Sequence, residues 1–211
     1  MNIKIPKYSL SEELINSISH GVGGIFSIVG LILMLIRCST ALEYVCISIY
    51  GTTMILLYIM SCIYHALSPR ITGKKVLRVL DHCNVYLLVL GTYIPISLLG
   101  VKGVLGWVLF GIVCSITILG IVLSSINMDK LQVFEVICHL INGWSVLIGI
   151  KSLYKNIGIG ILFLILGGLM YSIGAILYGI GAKKKYMHSV FHFFCLFGSL
   201  FHFMAIYNHV I

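Results

Sequence analysis

The sequence is poor in charge and poorest in negative charge: its 211 residues include six Asp and Glu, and charged residues make up 9% of the whole. A water-soluble surface normally needs about a quarter of charged residues, so an ordinary soluble domain is excluded. Proline is scarce as well, with Pro6, Pro69 and Pro95 the full complement, so little interrupts the apolar runs. Met1–Asn16 carries Lys4, Pro6, Lys7, Glu12 and Glu13 before any apolar run. This is unlike a cleaved signal, and the first apolar helix is expected to stay and serve as its own signal. Seven cysteines lie in or beside apolar segments, odd in number and without a CxxC pair. They read as small buried residues rather than a disulfide framework.

What the chain has is hydrophobicity, at 60%. Nearly all of it is taken up by apolar stretches of spanning length, about 20 residues each. They predict helices near 17–36, 44–66, 80–99, 104–124, 131–150, 158–181 and 187–209. The expected fold is therefore all-α, a single seven-helix membrane domain over 1–211 with short loops. The net charge of +8 comes from basic residues between apolar runs, with no soluble scaffold to present them to nucleic acid. Contact with anionic lipid head groups accounts for them better.

Lys and Arg concentrate on the cytoplasmic side of a membrane protein. The N-terminus and the even-numbered loops hold Lys4, Lys7, Arg70, Lys74, Lys75, Arg78, Lys130, Lys183, Lys184 and Lys185, against Arg37, Lys102, Lys151 and Lys155 on the other side. Ten against four predicts the N-terminus inside and the C-terminus outside.

Ionisable groups inside spans are costly and usually face the bundle interior. In the last helix His188, His192, Cys195, Ser199 and His202 recur at steps of four and three, on one helical face. Tyr58, Ser61 and His65 form a similar stripe in the second. Glu13, Asn16 and His20 run into the first helix, Asp81, His82 and Asn84 open the third, and Glu135, His139 and Asn142 mark the fifth. With alternating spans, His65, Asp81, His188 and His192 all fall in the cytoplasmic layer; His20, Glu135 and His139 are also nearer that side. Neutral imidazole is the commonest zinc ligand, and the i, i+4 pair His188 and His192 can aim two nitrogens at one ion. His65 can supply a third, leaving the fourth tetrahedral position for water, as in catalytic zinc sites, where the pKa of bound water falls to about 7.

Plainer roles fit the same residues. An intramembrane histidine can serve as an interhelical hydrogen-bonding group, Asp81 can cap helix three, and Ser61 can bond back to the Leu57 carbonyl. Glu13 and Asn16 can cap helix one. His202 and His209 lie toward the outer side, where packing is the expected role. Gly168, Ser172, Ala175 and Gly179 form a small-residue stripe in helix six, suited to close helix packing.

The segments EELINSISHGVGG at 12–24, SCIYH at 61–65, DHCNVYLLVLGTYIP at 81–95 and HSVFHFFCLFGSLFHF at 188–203 together resemble the bacterial haemolysin III branch of the progestin and adipoQ receptor superfamily. The resemblance runs over the whole chain in order. It implies a multi-pass protein of the bacterial plasma membrane, with zinc held by His65, His188 and His192, Asp81 contacting the metal-bound water, and Ser61 beside that site. Kinship of the superfamily with alkaline ceramidases implies zinc-dependent hydrolysis of a lipid amide, with a membrane lipid as substrate and a bound fatty acid as product. It also implies two alternatives: a nonenzymatic, zinc-stabilised regulator of membrane fluidity or lipid homeostasis, and a pore-forming cytolysin. The large soluble N-terminal region of the animal receptors is not matched, so hormone reception is not expected.

Overall fold

The first helix starts before its apolar run does, because Ser9 caps it. The Ser9 hydroxyl accepts from the Glu12 N–H, and the Glu12 carboxylate takes the Ser9 N–H at 2.9 Å, so two backbone donors at the helix end are satisfied reciprocally. Thr40 and Glu43 repeat the device at the second helix. The computed structural model describes the backbone of residues 5–181 and 184–211; Lys4 and Lys183, counted above for topology, lie outside the described residues. Among the described residues there is no strand, and seven helices are long and apolar enough to cross a membrane. Spans one to seven are Leu10–Arg37, Ala41–Ala66, Gly73–Val101, Gly103–Ile126, Val133–Ile157, Gly160–Gly179 and Met187–His209.

Several boundaries differ from those expected. Span three begins two turns before Asp81, at Gly73, so Asp81 sits inside the helix and is not its cap. After Pro95, which lacks the N–H needed to continue the α ladder, it ends in a π-helical turn, Ile96–Val101. The expected loop at 125–130 keeps helical hydrogen bonding, and Gly103–Trp144 is one helical run. It nevertheless folds back on itself. Asn142 Nδ2 donates to Thr117 Oγ1 at 3.1 Å, whereas 25 residues of straight helix would separate them by about 37 Å. Lys151–Asn156 is also helical, and the chain turns instead at Gly158, whose φ of +54° favours glycine.

Consecutive spans pack side by side, and span one returns against span seven to close the bundle. At that contact a Cβ on Gly23 would stand 2.5 Å from Leu196 Cδ2 and 2.9 Å from Tyr58 Cδ1, so only glycine lets the helices meet there. At the far end Arg37 lies over the Tyr207 ring, 4.5 Å from its centroid. Within the bundle Tyr58 and Tyr171 both reach the Ser199 hydroxyl at 2.6 Å, linking spans two, six and seven through one polar atom. Large apolar side chains such as Ile18, Phe26, Ile36 and Ile126 point outward. In water that surface would drive aggregation, whereas in lipid it is solvated.

Candidate metal centre

The polar residues of four spans meet at the end of the bundle where spans one, three and seven begin and span two ends. Ligand nitrogens of His65, His188 and His192 all lie within 4.8 Å of one another, the one such cluster of three metal-ligating side chains among the described residues. His188 Nε2 and His192 Nε2 are 3.1 Å apart. Two nitrogens bound at ~2.0–2.1 Å to one tetrahedral zinc would stand about 3.3 Å apart, so the pair is close to chelating geometry. Without an ion, the same distance is an imidazole–imidazole hydrogen bond.

His65 settles which of its nitrogens faces the cluster. Its Nδ1 lies 2.6 Å from Glu13 Oε2, while the other Glu13 oxygen takes Lys74 Nζ at 2.6 Å. An ionised carboxylate only accepts, so Nδ1 carries a proton, and in the neutral imidazole that binds metals Nε2 then keeps its lone pair. That Nε2 is buried without a partner. A buried, unsatisfied lone pair directed at two other imidazoles fits a cation, and a carboxylate behind the ligand imidazole is the usual orienting partner in zinc sites. Lys74 is buried to 1% exposure and also donates to the Leu67 carbonyl, so its charge is compensated inside the protein. His192 Nδ1 is buried without a hydrogen-bond partner.

Two aromatic groups close the cluster. His20 stacks on His192 with centroids 3.7 Å apart. From outside the spans Tyr8 stacks on His188 at 4.9 Å, and burial pushes its phenol well above the ordinary tyrosine range, so it covers the site as a neutral ring. The segment behind Tyr8 is tied down where Glu12 Oε1 accepts the Tyr186 N–H at 2.7 Å and Ser11 meets the Tyr186 hydroxyl at 3.0 Å.

Beside the cluster opens a cavity of about 170 Å³. His188, His192, Asp81 and Ser61 line its polar end, and Leu88, Tyr93 and Trp144 line its apolar length. Its lining runs along span seven from His188 to His202, fourteen residue steps or roughly 21 Å of helix. One leaflet of a hydrocarbon core about 30 Å thick is shorter than that, so the cavity is long enough for a lipid tail.

The sequence-predicted residues thus share one place. His65, His188 and His192 form the cluster, while Asp81 and Ser61 line the adjoining cavity side by side. Glu13 and Asn16 are not caps; Ser9 and Glu12 do that work, and Asn16 Nδ2 lies 3.4 Å from His65 Nδ1. The step from Glu13 to Asn16 to His20 marked one helical face, and that was the signal for a shared partner. Tyr8 lies outside any periodic segment and left no such sign. The small-residue stripe of span six also differs from expectation. Gly168, Ser172 and Ala175 line the cavity, a Cβ on Gly168 would meet Trp144 at an ordinary 3.5 Å, and Gly179 has nothing within 4 Å. Small side chains at 168, 172 and 175 leave room for the cavity, while Ser172 also accepts from Trp144 Nε1 at 3.0 Å across spans five and six. His202 lines the cavity too, with Nε2 3.3 Å from the Leu164 carbonyl.

Fold and site together define a multi-pass helical protein of the cell membrane with a buried cluster of three histidines able to hold a metal ion. A family model described as haemolysin-III related matches residues 8–203. The chain is 36% identical over 207 residues to Hemolysin-3 of Bacillus cereus, covering 96% of this chain and 93% of that protein. It is 35% identical over 196 residues to the Hemolysin-3 homolog of Bacillus subtilis (strain 168), covering 91% of each. The chain belongs to the haemolysin III family.

Proposed function

We propose that this protein is a zinc-dependent hydrolase of lipid amide bonds, with the metal held by His65, His188 and His192. The observation that carries the reading is a lipid-length apolar cavity that reaches two of those histidines, His188 and His192, with a carboxylate and a hydroxyl, Asp81 and Ser61, in the same lining. Zinc in a three-histidine site supplies Lewis acidity and lowers the pKa of water to about 7. The chain's own residues do the rest. Glu13 holds His65 in the tautomer that leaves Nε2 free, Ser61 stands beside the Asp81 carboxylate, and Tyr8 and His20 shield the site. The acyl chain lies along Leu88, Tyr93 and Trp144, which places the amide carbonyl at the polar end. Asp81 accepts a proton from the attacking water as its oxygen bonds to the carbonyl carbon. The proton then passes to the leaving nitrogen as the C–N bond breaks, giving a fatty acid and an amine.

The test is release of fatty acid from long-chain N-acyl lipids by purified protein in lipid, comparing wild type with Asp81→Asn. A neutral amide cannot accept the water proton as a carboxylate does, so the folded, zinc-loaded variant should be slower by about 10²-fold or more. Equal release by wild type, Asp81→Asn and metal-free His188→Ala would refute hydrolysis and favour a regulator in which zinc ties spans two and seven together. The names of the two relatives point to cytolysis as another reading. The outward-facing side chains are apolar and the polar cluster is enclosed, an arrangement suited to a lipid-embedded bundle more than to the polar lumen of a pore.

A further inference from the structure

A second group of polar side chains lines the same cavity and has no part in the chemistry above. Glu135 in span five is 3% exposed. Its Oε2 lies 3.2 Å from His82 Nδ1, but Oε1 is buried with no hydrogen-bond partner. The neighbouring Ser124 hydroxyl is itself unpartnered. Even a bond from Ser124 would leave lone pairs on a carboxylate that can accept about four. One helical turn along span five, the His139 ring lies tilted against Tyr86 with centroids 3.8 Å apart, and its Nδ1 is likewise without a partner. Glu135, His82 and His139 all line the cavity, together with His188 and His192.

A buried carboxylate oxygen without a donor is expensive, so its position on a cavity wall calls for a ligand that donates. A metal is a poor candidate, because His82, Glu135 and His139 do not bring ligand atoms together as the histidine triad does. A phosphate or a second carboxylate would be repelled. What fits is an ammonium or hydroxyl group on an amphiphile whose chain fills the apolar length of the cavity. We propose that Glu135, with His82 and His139, is a head-group subsite that selects lipids bearing a hydrogen-bond donor, an amine or hydroxyl, close to the group presented to the histidine triad. This deepens the lipid-amide reading, on which the identity of the natural ligand rests: the subsite would hold the amino-alcohol portion of the substrate and the amine left after cleavage.

Binding can be measured apart from turnover. Trp144 lines the cavity while Trp107 is 60% exposed on the outer surface, so a Trp107→Phe background leaves one cavity-facing fluorophore. The protein, stripped of metal by a chelator so that no cation in the same cavity draws the anions, is titrated in phosphatidylcholine nanodiscs with dodecylamine, dodecanol, dodecanoate and dodecyl phosphate, which share one tail. Amine and alcohol should perturb Trp144 emission at concentrations at least about tenfold below the two anions, as expected for hydrogen bonds to a buried charge. Glu135→Leu should erase that order, and Glu135→Gln, which preserves shape, should remove the advantage of the amine over the alcohol. Thermal melts confirm that the variants are folded. Equal response to all four probes, preference for the anions, or an unchanged order in both folded variants would overturn the subsite. The two proposals fail separately: donor preference without any lipid hydrolysis leaves the subsite standing alone, whereas hydrolysis sensitive to Asp81→Asn without donor preference leaves only the hydrolase.

Discussion

Glu13 offers the sharpest perturbation because one carboxylate serves two partners with separable consequences. It fixes the proton on His65 Nδ1 at 2.6 Å and neutralises Lys74, a residue 1% exposed, at 2.6 Å. Glu13→Gln keeps the shape and loses the charge. Losing the orienting carboxylate should weaken zinc binding by about 10–100-fold, equivalent to roughly 1.4–2.7 kcal/mol. Leaving Lys74 charged, buried and short of a partner should destabilise the fold by about 3–5 kcal/mol. The second effect, unlike the first, should be relieved by Lys74→Met, since an apolar side chain of similar length needs no counter-charge. The double variant Glu13→Gln/Lys74→Met is therefore expected to melt near wild type yet still bind zinc weakly. Zinc affinity is read by competition with a calibrated chelator, and stability by thermal denaturation of the metal-free protein in detergent. Wild-type zinc affinity in folded Glu13→Gln would refute the assignment of Glu13 as the partner that orients His65. A double variant no more stable than Glu13→Gln alone would refute the claim that Lys74 depends on it.

Further outcomes are expected elsewhere in the bundle. His65→Ala, His188→Ala and His192→Ala should each lose most bound zinc by elemental analysis of folded protein, whereas His209→Ala should keep it, because His209 packs at the other end against Phe163; full occupancy in the three cluster variants would reject this coordination shell. Gly23→Val should cost about 1–3 kcal/mol or more in thermal stability, through overpacking against Leu196 and Tyr58. Gly168→Ala should leave stability nearly unchanged while weakening binding of long-chain amphiphiles, since its added methyl faces the cavity. Single cysteines at Lys7 and Ile211 should label with an impermeant maleimide from opposite sides of the membrane, Ile211 from outside; labelling of both from one side would contradict the charge-based orientation.

Much of the architecture was legible because the bilayer imposes its own length on the chain. Apolar runs of spanning length predicted seven helices, and the histidine periodicity of span seven placed His188 and His192 on one face. Alternation of the spans then carried His65 and Asp81 to the same layer, since an odd helix must begin where an even one ends. Cap chemistry was less clear in advance. Ser9 extends span one past Glu13, and that extension turns a residue with the look of a cap into the partner of His65.

What only the tertiary structure decided depends on contacts between residues far apart in sequence. No periodicity shows that Lys74 shares Glu13 with His65, that Tyr8 lies over His188, or that the small side chains of span six leave room for a cavity. Each depends on which residue of another helix stands opposite, and that is set by the angles and offsets at which the seven helices pack. Hydropathy reports that a side chain leaves water, and spacing reports the face on which it does so. The partner it meets there is fixed by the packing of the whole bundle. For this protein the sequence by itself determined the spans, their alternation and the metal-ligating residue types, and packing decided how those residues are joined into a site with a carboxylate behind it and a lipid-length cavity in front.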